Sequence, residues 1–233
     1  MTRTIKVTGK SNVKASPDYT RISLTLSDTL MEYDACLAKS VEDMNIIVEC
    51  IKEFGFERQE LKTSNFEINR KTEGYRDKHN DWKYRFIGYE YTENLNFTFK
   101  NDNERLGKIL YALAHLPIIP EISISYFCSD VETIKNQLLE LAIKDAKKKA
   151  ELLTSASGVK LCEILDIDYS WINVTLESDD MKLCPTGALE DCCSEAAYDV
   201  DIEPEDISTS DSVRITFRIE QRGKKNEKTS CLC

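Results

Sequence analysis

The residues with the greatest chemical potential stand close together. The stretch MKLCPTGALEDCCSEAAYDVDIEPEDI, residues 181–207, holds three cysteines (Cys184, Cys192, Cys193) and eight carboxylates but no histidine. Such a set admits a metal site, redox-active thiols or a solvated acidic loop. Zinc wants about four sulfur or nitrogen ligands in tetrahedral geometry. Only three thiols are offered here, and the adjacent pair at 192 and 193 is poorly disposed to share one ion. Calcium wants oxygens around a turn glycine, but DVDIEPED places Pro204 near that position and lacks the closing glutamate. Carboxylates around a thiol favour its neutral form, which works against redox sensing. The pattern points to a solvated acidic loop, with no metal and no cofactor.

The chain has two histidines, His79 and His115. No C-x-x-C occurs, and Thr63 has no histidine near it in sequence to serve as a base. A Cys–His pair assembled in space is the remaining enzymatic option. No catalytic residue is assigned, and a non-enzymatic protein is expected. A contact surface reads better from EGYRDKHNDWKY, where Tyr75, Trp82 and Tyr84 stand among charges in a hairpin spanning Arg70 to Tyr84. Large aromatics in such a setting, together with the acidic segment 177–211, are candidates for docking a protein partner as an adaptor would.

Charge narrows the partners further. The formal net charge is −10, and residues 177–211 hold twelve acids against one base, Lys182. The remainder is close to neutral. An acidic lobe without a basic, aromatic-studded stripe excludes nucleic acid. The longest largely apolar run, Tyr111 to Ile119, is far short of the ~20 residues of a membrane span. The opening MTRTIKVTGKSNVKAS has no apolar stretch behind its charges, so no export signal is read and a cytoplasmic protein is expected. The nine cysteines are then expected to be reduced. Cys36, Cys50, Cys128 and Cys162 fall in periodic segments, where a free cysteine packs as a small hydrophobe.

These residues must be held by elements, and the elements are legible as periods. Alternation of period two runs through Ile5 and Val7; Ile22, Leu24 and Leu26; Phe66 and Ile68; and Tyr89 to Phe99. It returns at Ile122 to Cys128, Leu161 to Tyr169, and Val213 to Ile219, each an antiparallel strand with one apolar face. Three segments turn helical. Leu37, Val41, Met44, Val48 and Ile51 form a stripe ending near Gly55. Leu106 to Leu113 follows a cap at Asp102. The third runs from Val131 to Ser157 between Asp130 and Gly158, with Ala142, Ala146 and Ala150 spaced to let it lie close to a sheet.

The expectation is an α+β fold: one mainly antiparallel sheet of about seven strands carrying three helices, in the order β-β-α-β-β-α-β-α-β-β. A single domain over 1–222 would contain residues 177–211 as an acidic loop insertion, with 223–233 a flexible polar tail. Exposed sheet edges must be covered or paired, so a homo-oligomer is expected. Within the strands, Pro17–Asp18 reads as a turn that sets register and Gly88 as a bulge or a close backbone approach.

The strings SPDYTRISLTL, LKTSNFEI, GYEYTENLNFTF, LAIKDAKKKAELLTSASGVKL and IEPEDISTSDSVRITFRI together resemble the SIMPL-domain family. The matching features are Pro17–Asp18 before the second strand, Thr63 after the first helix, and Gly88–Tyr89 in the long strand. Asp145–Ala146, Lys149–Ala150 and the final alternating strand complete the set, and the likeness covers residues 3 to 221. It implies an α+β fold and ring- or channel-like oligomers. It also implies links to envelope or oxidative stress in bacteria and to kinase-associated signalling in animals. No agreed catalytic residues come with it. Pro204 is followed by Glu205, where the family often has glycine.

Overall fold

The first strand, β1 (Thr4–Ala15), does not pair with the strand that follows it. In the computed structural model, which describes residues 3–169, 176–183 and 202–221, β1 pairs antiparallel with the last strand, β8 (Ile207–Gln221). Ile5 stands opposite Phe217 and Val7 opposite Ile215. The other side of β8 takes β6 (Val159–Asp168), giving the order β1-β8-β6. The helix α3 (Val131–Ala156) packs on these strands through Ala142, Ala146 and Ala150, all fully buried, against Val7, Val213, Ile215 and Phe217. Asp130 caps it by accepting the Thr133 amide at 3.1 Å, and Gly158, at φ 69°, follows its end.

Small residues in α3 are matched by a small residue in β1. A Cβ at Gly9 would lie 1.9 Å from the Ala142 carbonyl oxygen and 2.7 Å from the Ala146 nitrogen. Helix backbone and strand backbone therefore touch where neither sequence position carries bulk. Asp145 secures the same contact, since its carboxylate accepts the Lys10 amide at 2.8 Å and the Lys149 ammonium at 2.6 Å. Lys149 and then the Lys10 amide hold the Asp145 carboxyl below its ordinary pKa.

The second compact unit is built on the order β3-β4-β2-β5-β7, antiparallel throughout. Its strands are β2 (Tyr19–Leu30), β3 (Lys62–Arg76), β4 (Trp82–Lys100), β5 (Glu121–Phe127) and β7 (Met181–Leu183). Helices α1 (Tyr33–Glu53) and α2 (Asn103–Ala114) cover the face carrying Ile22, Leu24, Leu26, Leu95, Phe97 and Ile124. Phe56 sets its ring edge-on to Phe97 and Phe99, at 4.9 and 5.9 Å. The caps are as read: Asp102 accepts the Arg105 amide at 3.0 Å, and Gly55, at φ 80°, ends α1.

The fold is α+β, but the strands are shared between two sheets rather than gathered in one. Alternation tells which face is apolar; it does not tell which strand is the neighbour. The acidic segment is not a loop throughout. Met181–Leu183 pairs with β5, Glu177 bridges to Phe127, and Asp211 is buried within β8. Cys184, Cys192, Cys193 and the polar tail lie outside the described residues.

The stripe on α1 is out of phase only in its first half: Val48 and Ile51 are buried and Met44 packs against the core, as read. Leu37 and Val41 are 41% and 48% exposed, while Cys36, Ser40, Asp43, Ile47 and Cys50 face inward. Leu165 and Ile167 are also exposed, because register shifts at Ile164 break the alternation of β6. Cys36, Cys50 and Cys128 are buried as expected, but Cys162 is half-exposed.

Gly9→Ala tests the close approach of α3. The added methyl meets helix backbone, which cannot rotate away, so urea unfolding should show a loss of at least about 2 kcal/mol. An unchanged midpoint would mean that α3 does not sit on β1 at this distance.

Candidate functional site

The chain passes out of the second unit at Ser16, Ser129, Glu177 and Glu205, and three of these points gather at the end of β5. Pro17 is buried and turns the chain. The Asp18 amide donates to the Phe127 carbonyl at 3.2 Å, and the Asn101 amide donates to the Asp18 carbonyl at 3.0 Å. The Asp18 carboxylate takes the Ser129 amide at 2.7 Å and also the Ser129 hydroxyl. Burial pushes the Asp18 carboxyl up, but the two Ser129 donors outweigh it and leave the group below its ordinary range. Asn101 donates to the Pro17 carbonyl at 2.7 Å and accepts the Thr20 hydroxyl at 2.8 Å. Beside this knot Glu177 pairs with Arg21 and accepts the Ser125 hydroxyl at 3.0 Å, while Arg21 lies 4.9 Å above the Phe127 ring. These bonds are structural in character: those of Asp18 and Asn101 fix backbone, and those of Thr20, Arg21 and Ser125 tie side chains together.

Inside the same unit two acids are buried among apolar neighbours. Asp43 accepts the Tyr91 hydroxyl and pairs with Lys39 at 2.9 Å. Burial and then Asp43 push the Tyr91 phenol far up, so it stays a donor. Glu93 takes a long bond of 3.4 Å from the Thr63 hydroxyl. Its carboxyl is pushed up by burial, against smaller opposing effects of Thr63 and Arg58. Thr63 thus bonds across the sheet to a carboxylate. Asp43 and Glu93 were not picked out by the sequence: the α1 stripe put Asp43 on the wrong face, and Glu93 falls on the apolar face of β4 between Tyr91 and Leu95, where the alternation was read past it. Lys39 four residues before Asp43 was the available signal, an i,i+4 pair.

The two histidines sit apart in the fold. His79 is at the tip of the β3–β4 hairpin, and His115 ends α2, its ring 4.1 Å from Tyr111. Among the described residues no group of three or more His, Cys, Asp or Glu side chains is placed to hold a metal.

The outer part of the hairpin is exposed, with Trp82 and Tyr84 among its open side chains. β2 stops at Leu30 opposite Tyr89, so beyond Gly88 the ribbon of β3 and β4 has no third strand among the described residues. Pairing jumps from Lys71–Gly88 to Thr72–Phe86, leaving Ile87 as an extra residue. Gly88, at φ 142°, is required there: a Cβ would lie 2.5 Å from the Leu30 carbonyl oxygen. The extra residue re-aims the strand. Tyr89 and Tyr91 face the helices, and the bulge returns Phe86, Tyr84 and Trp82 to that same face. Ring contacts confirm it, with Phe86 5.3 Å from Tyr89 and Tyr89 5.5 Å from Tyr33 at the start of α1.

Cross-strand pairs divide the ribbon into two faces. Arg76 opposes Trp82, Gly74 opposes Tyr84, and both rings lie over Gly74, 3.4 Å from where its Cβ would be. Arg70 and Arg76 stand over Phe86 and Trp82, at 5.0 and 5.2 Å. The reverse face is charged and internally paired, Glu73 with Arg85 and Asp77 with Lys83. Tyr75, opposite Lys83, belongs to that reverse face. Trp82 and Tyr84 therefore act together and Tyr75 does not join them. At the tip, Asp77 accepts from Lys83 and from the His79 and Asp81 amides, which hold its carboxyl below the ordinary range.

The chain belongs to the SIMPL family, whose description is a protein of unknown function (DUF541), with residues 5–217 matched. It is also similar to the 26 kDa periplasmic immunogenic protein of Brucella abortus and to the protein of the same name in Brucella melitensis biotype 1. Each is 24% identical over 163 residues, covering 70% of this chain and 65% of the relative. The chain thus spans under two thirds of the length of these relatives. The cytoplasmic location expected above is overturned by this likeness, since both relatives are named as periplasmic. No helix among the described residues is long and apolar enough to cross a membrane.

Glu93→Gln gives the buried acid a direct test. A carboxyl whose folded pKa lies above its unfolded value costs stability at neutral pH and recovers it as pH falls through the folded value. The amide keeps an acceptor for Thr63 without the charge. The variant should melt higher than the parent at pH 7, with the gap closing in acid. A lower melting temperature at pH 7 would show that the Glu93 charge is compensated.

Proposed function

We propose that this SIMPL-family protein is non-enzymatic and acts by associating with copies of itself, in the stress-related setting that the family likeness implies. The observation that supports this reading is the outer part of the β3–β4 hairpin. A two-stranded ribbon alone in water is marginally stable. Here it carries Trp82 and Tyr84 at 64% and 76% exposure on one face, and it is stiffened at its tip by Asp77. Large aromatics held rigid and open are what a protein interface uses as anchors. A preformed arm of this kind is poorly suited to chemistry and well suited to docking.

An adaptor role, in which the 70–84 hairpin and the acidic segment 177–211 dock another protein, is the second reading, favoured by the same aromatic face. Light scattering during size exclusion, at two loading concentrations, separates them. Self-association predicts a mass that is a multiple of 26.7 kDa and grows or holds with concentration. A monomer at both concentrations would sink the self-association reading and leave the adaptor.

A further inference from the structure

Four strands lie at sheet edges, β1 and β6 in one sheet, β3 and β7 in the other. An edge presents a row of backbone amides and carbonyls with which another strand can pair. Three of the four are blunted. β7 is 3 residues long, and β6 is broken by register shifts on either side of Ile164. On β1, side chains of α3 occupy backbone groups: Asp145 accepts the Lys10 amide and Lys149 donates to the Thr8 carbonyl. β3 is different. It is 15 residues long and pairs with β4 alone. From Asn65 to Arg76 it has no extra residue of its own, since the one inserted near Lys71 is Ile87 of β4. Lys71 and Glu73, which could guard the edge, are drawn back onto Glu90 and Arg85 of β4.

We infer that β3 of a second copy pairs with this edge, antiparallel, about a two-fold axis through Ile68. A two-fold axis perpendicular to a sheet returns each side chain to its own face, so it passes through a residue that opposes itself. Charge then selects the register, because like charges directly opposite destabilise a strand pair. An axis at Glu67, Arg70, Lys71 or Glu73 sets each of these against its own copy. An axis at Phe66 opposes Lys62 to Arg70, and one at Asn69 opposes Lys62 to Arg76. An axis at Asn65 or before it runs into the extra residue Ser64, and one at Thr72 or beyond leaves Phe66 outside the pairing. At Ile68 no like charges stand opposite one another. Phe66 meets the partner's Arg70, Glu67 the partner's Asn69, and Asn65 the partner's Lys71. This rests on the self-association reading above and names its edge and register.

The pairing answers two features of the free chain. Phe66, 44% exposed, is covered by the partner's edge and bordered by the Arg70 that already stands over Phe86. The outer part of each β3 also comes to lie beside the start of the other. Each arm thereby gains the third strand it lacks, and three strands hold where two are marginal.

Charge placed at position 66 of the full chain tests edge and register together. Phe66→Lys and Phe66→Glu remove the same ring and differ in sign. Across the two-fold axis, the first opposes Arg70 with a like charge twice and the second with an opposite charge twice. Association is followed by light scattering over a dilution series, and circular dichroism checks that each variant is folded. Phe66→Lys should dissociate about tenfold more easily than Phe66→Glu. Adding Arg70→Glu to Phe66→Lys should restore association to the level of Phe66→Glu, because the pair is then reversed instead of opposed. If the two single variants weaken association equally, or the double variant does not recover it, Phe66 does not face Arg70 and the inference is overturned while self-association stands. If neither single variant changes the parent's association, another surface holds the copies together and the inference falls. A parent that is monomeric throughout would overturn the reading on which the inference rests.

Discussion

The contact between Asp18 and Ser129 is the constraint on which the second unit depends. An antiparallel sheet can slip by one residue and turn every side chain over, so some feature has to fix where each strand starts. Here a single residue does this for several strands. Asp18 opens β2, its amide and carbonyl tie it to the ends of β5 and β4, and its side chain holds the second residue beyond β5. Asn101 completes the arrangement from the end of β4. With these starts fixed, Ile22 falls opposite Phe97 and Ile124, and the apolar faces coincide. The core follows from the register, and the register from the turn.

The same economy appears in the other unit, where one glycine and one aspartate set a helix on a strand. Gly9 admits the backbone of α3 and Asp145 grips the Lys10 amide. β1 is an edge strand, and an amide capped by a carboxylate is no longer available to another strand. Asp145, which carried part of the family likeness, therefore has a structural role. So do Pro17, Asp18, Thr63 and Gly88, whose described contacts are with backbone and side chains of the same unit.

Much of this was legible in the sequence because it is local. The caps at Asp102 and Asp130, the stops at Gly55 and Gly158 and the bulge near Gly88 each need only a few neighbouring residues. What failed was non-local. Ile5 and Val7 mark an apolar face but not the fact that its partner lies some two hundred residues away in β8. The first half of the α1 stripe failed for a different reason. Leu37 and Val41 follow the helical period as well as Cys36 and Ser40 do, and hydropathy prefers the leucine and the valine. There the core takes Cys36, Ser40 and the Asp43–Tyr91 bond instead, while further along Val48 and Ile51 are buried as the period predicts.

Exposed aromatics on a two-stranded ribbon rest on a scaffold whose signature residues fix strand register. The scaffold is the claim that everything else assumes, and Asp18→Asn probes it with little change of shape. Hydrogen exchange at the Ser129 amide, followed on the full chain, gives the most direct reading. Loss of the charge-assisted bonds, discounted for solvent screening at an exposed site, should cost about 1 kcal/mol and speed exchange there several-fold, with the ends of β2 and β5 following. Unchanged exchange at Ser129 and at both strand ends would show that the register is fixed elsewhere.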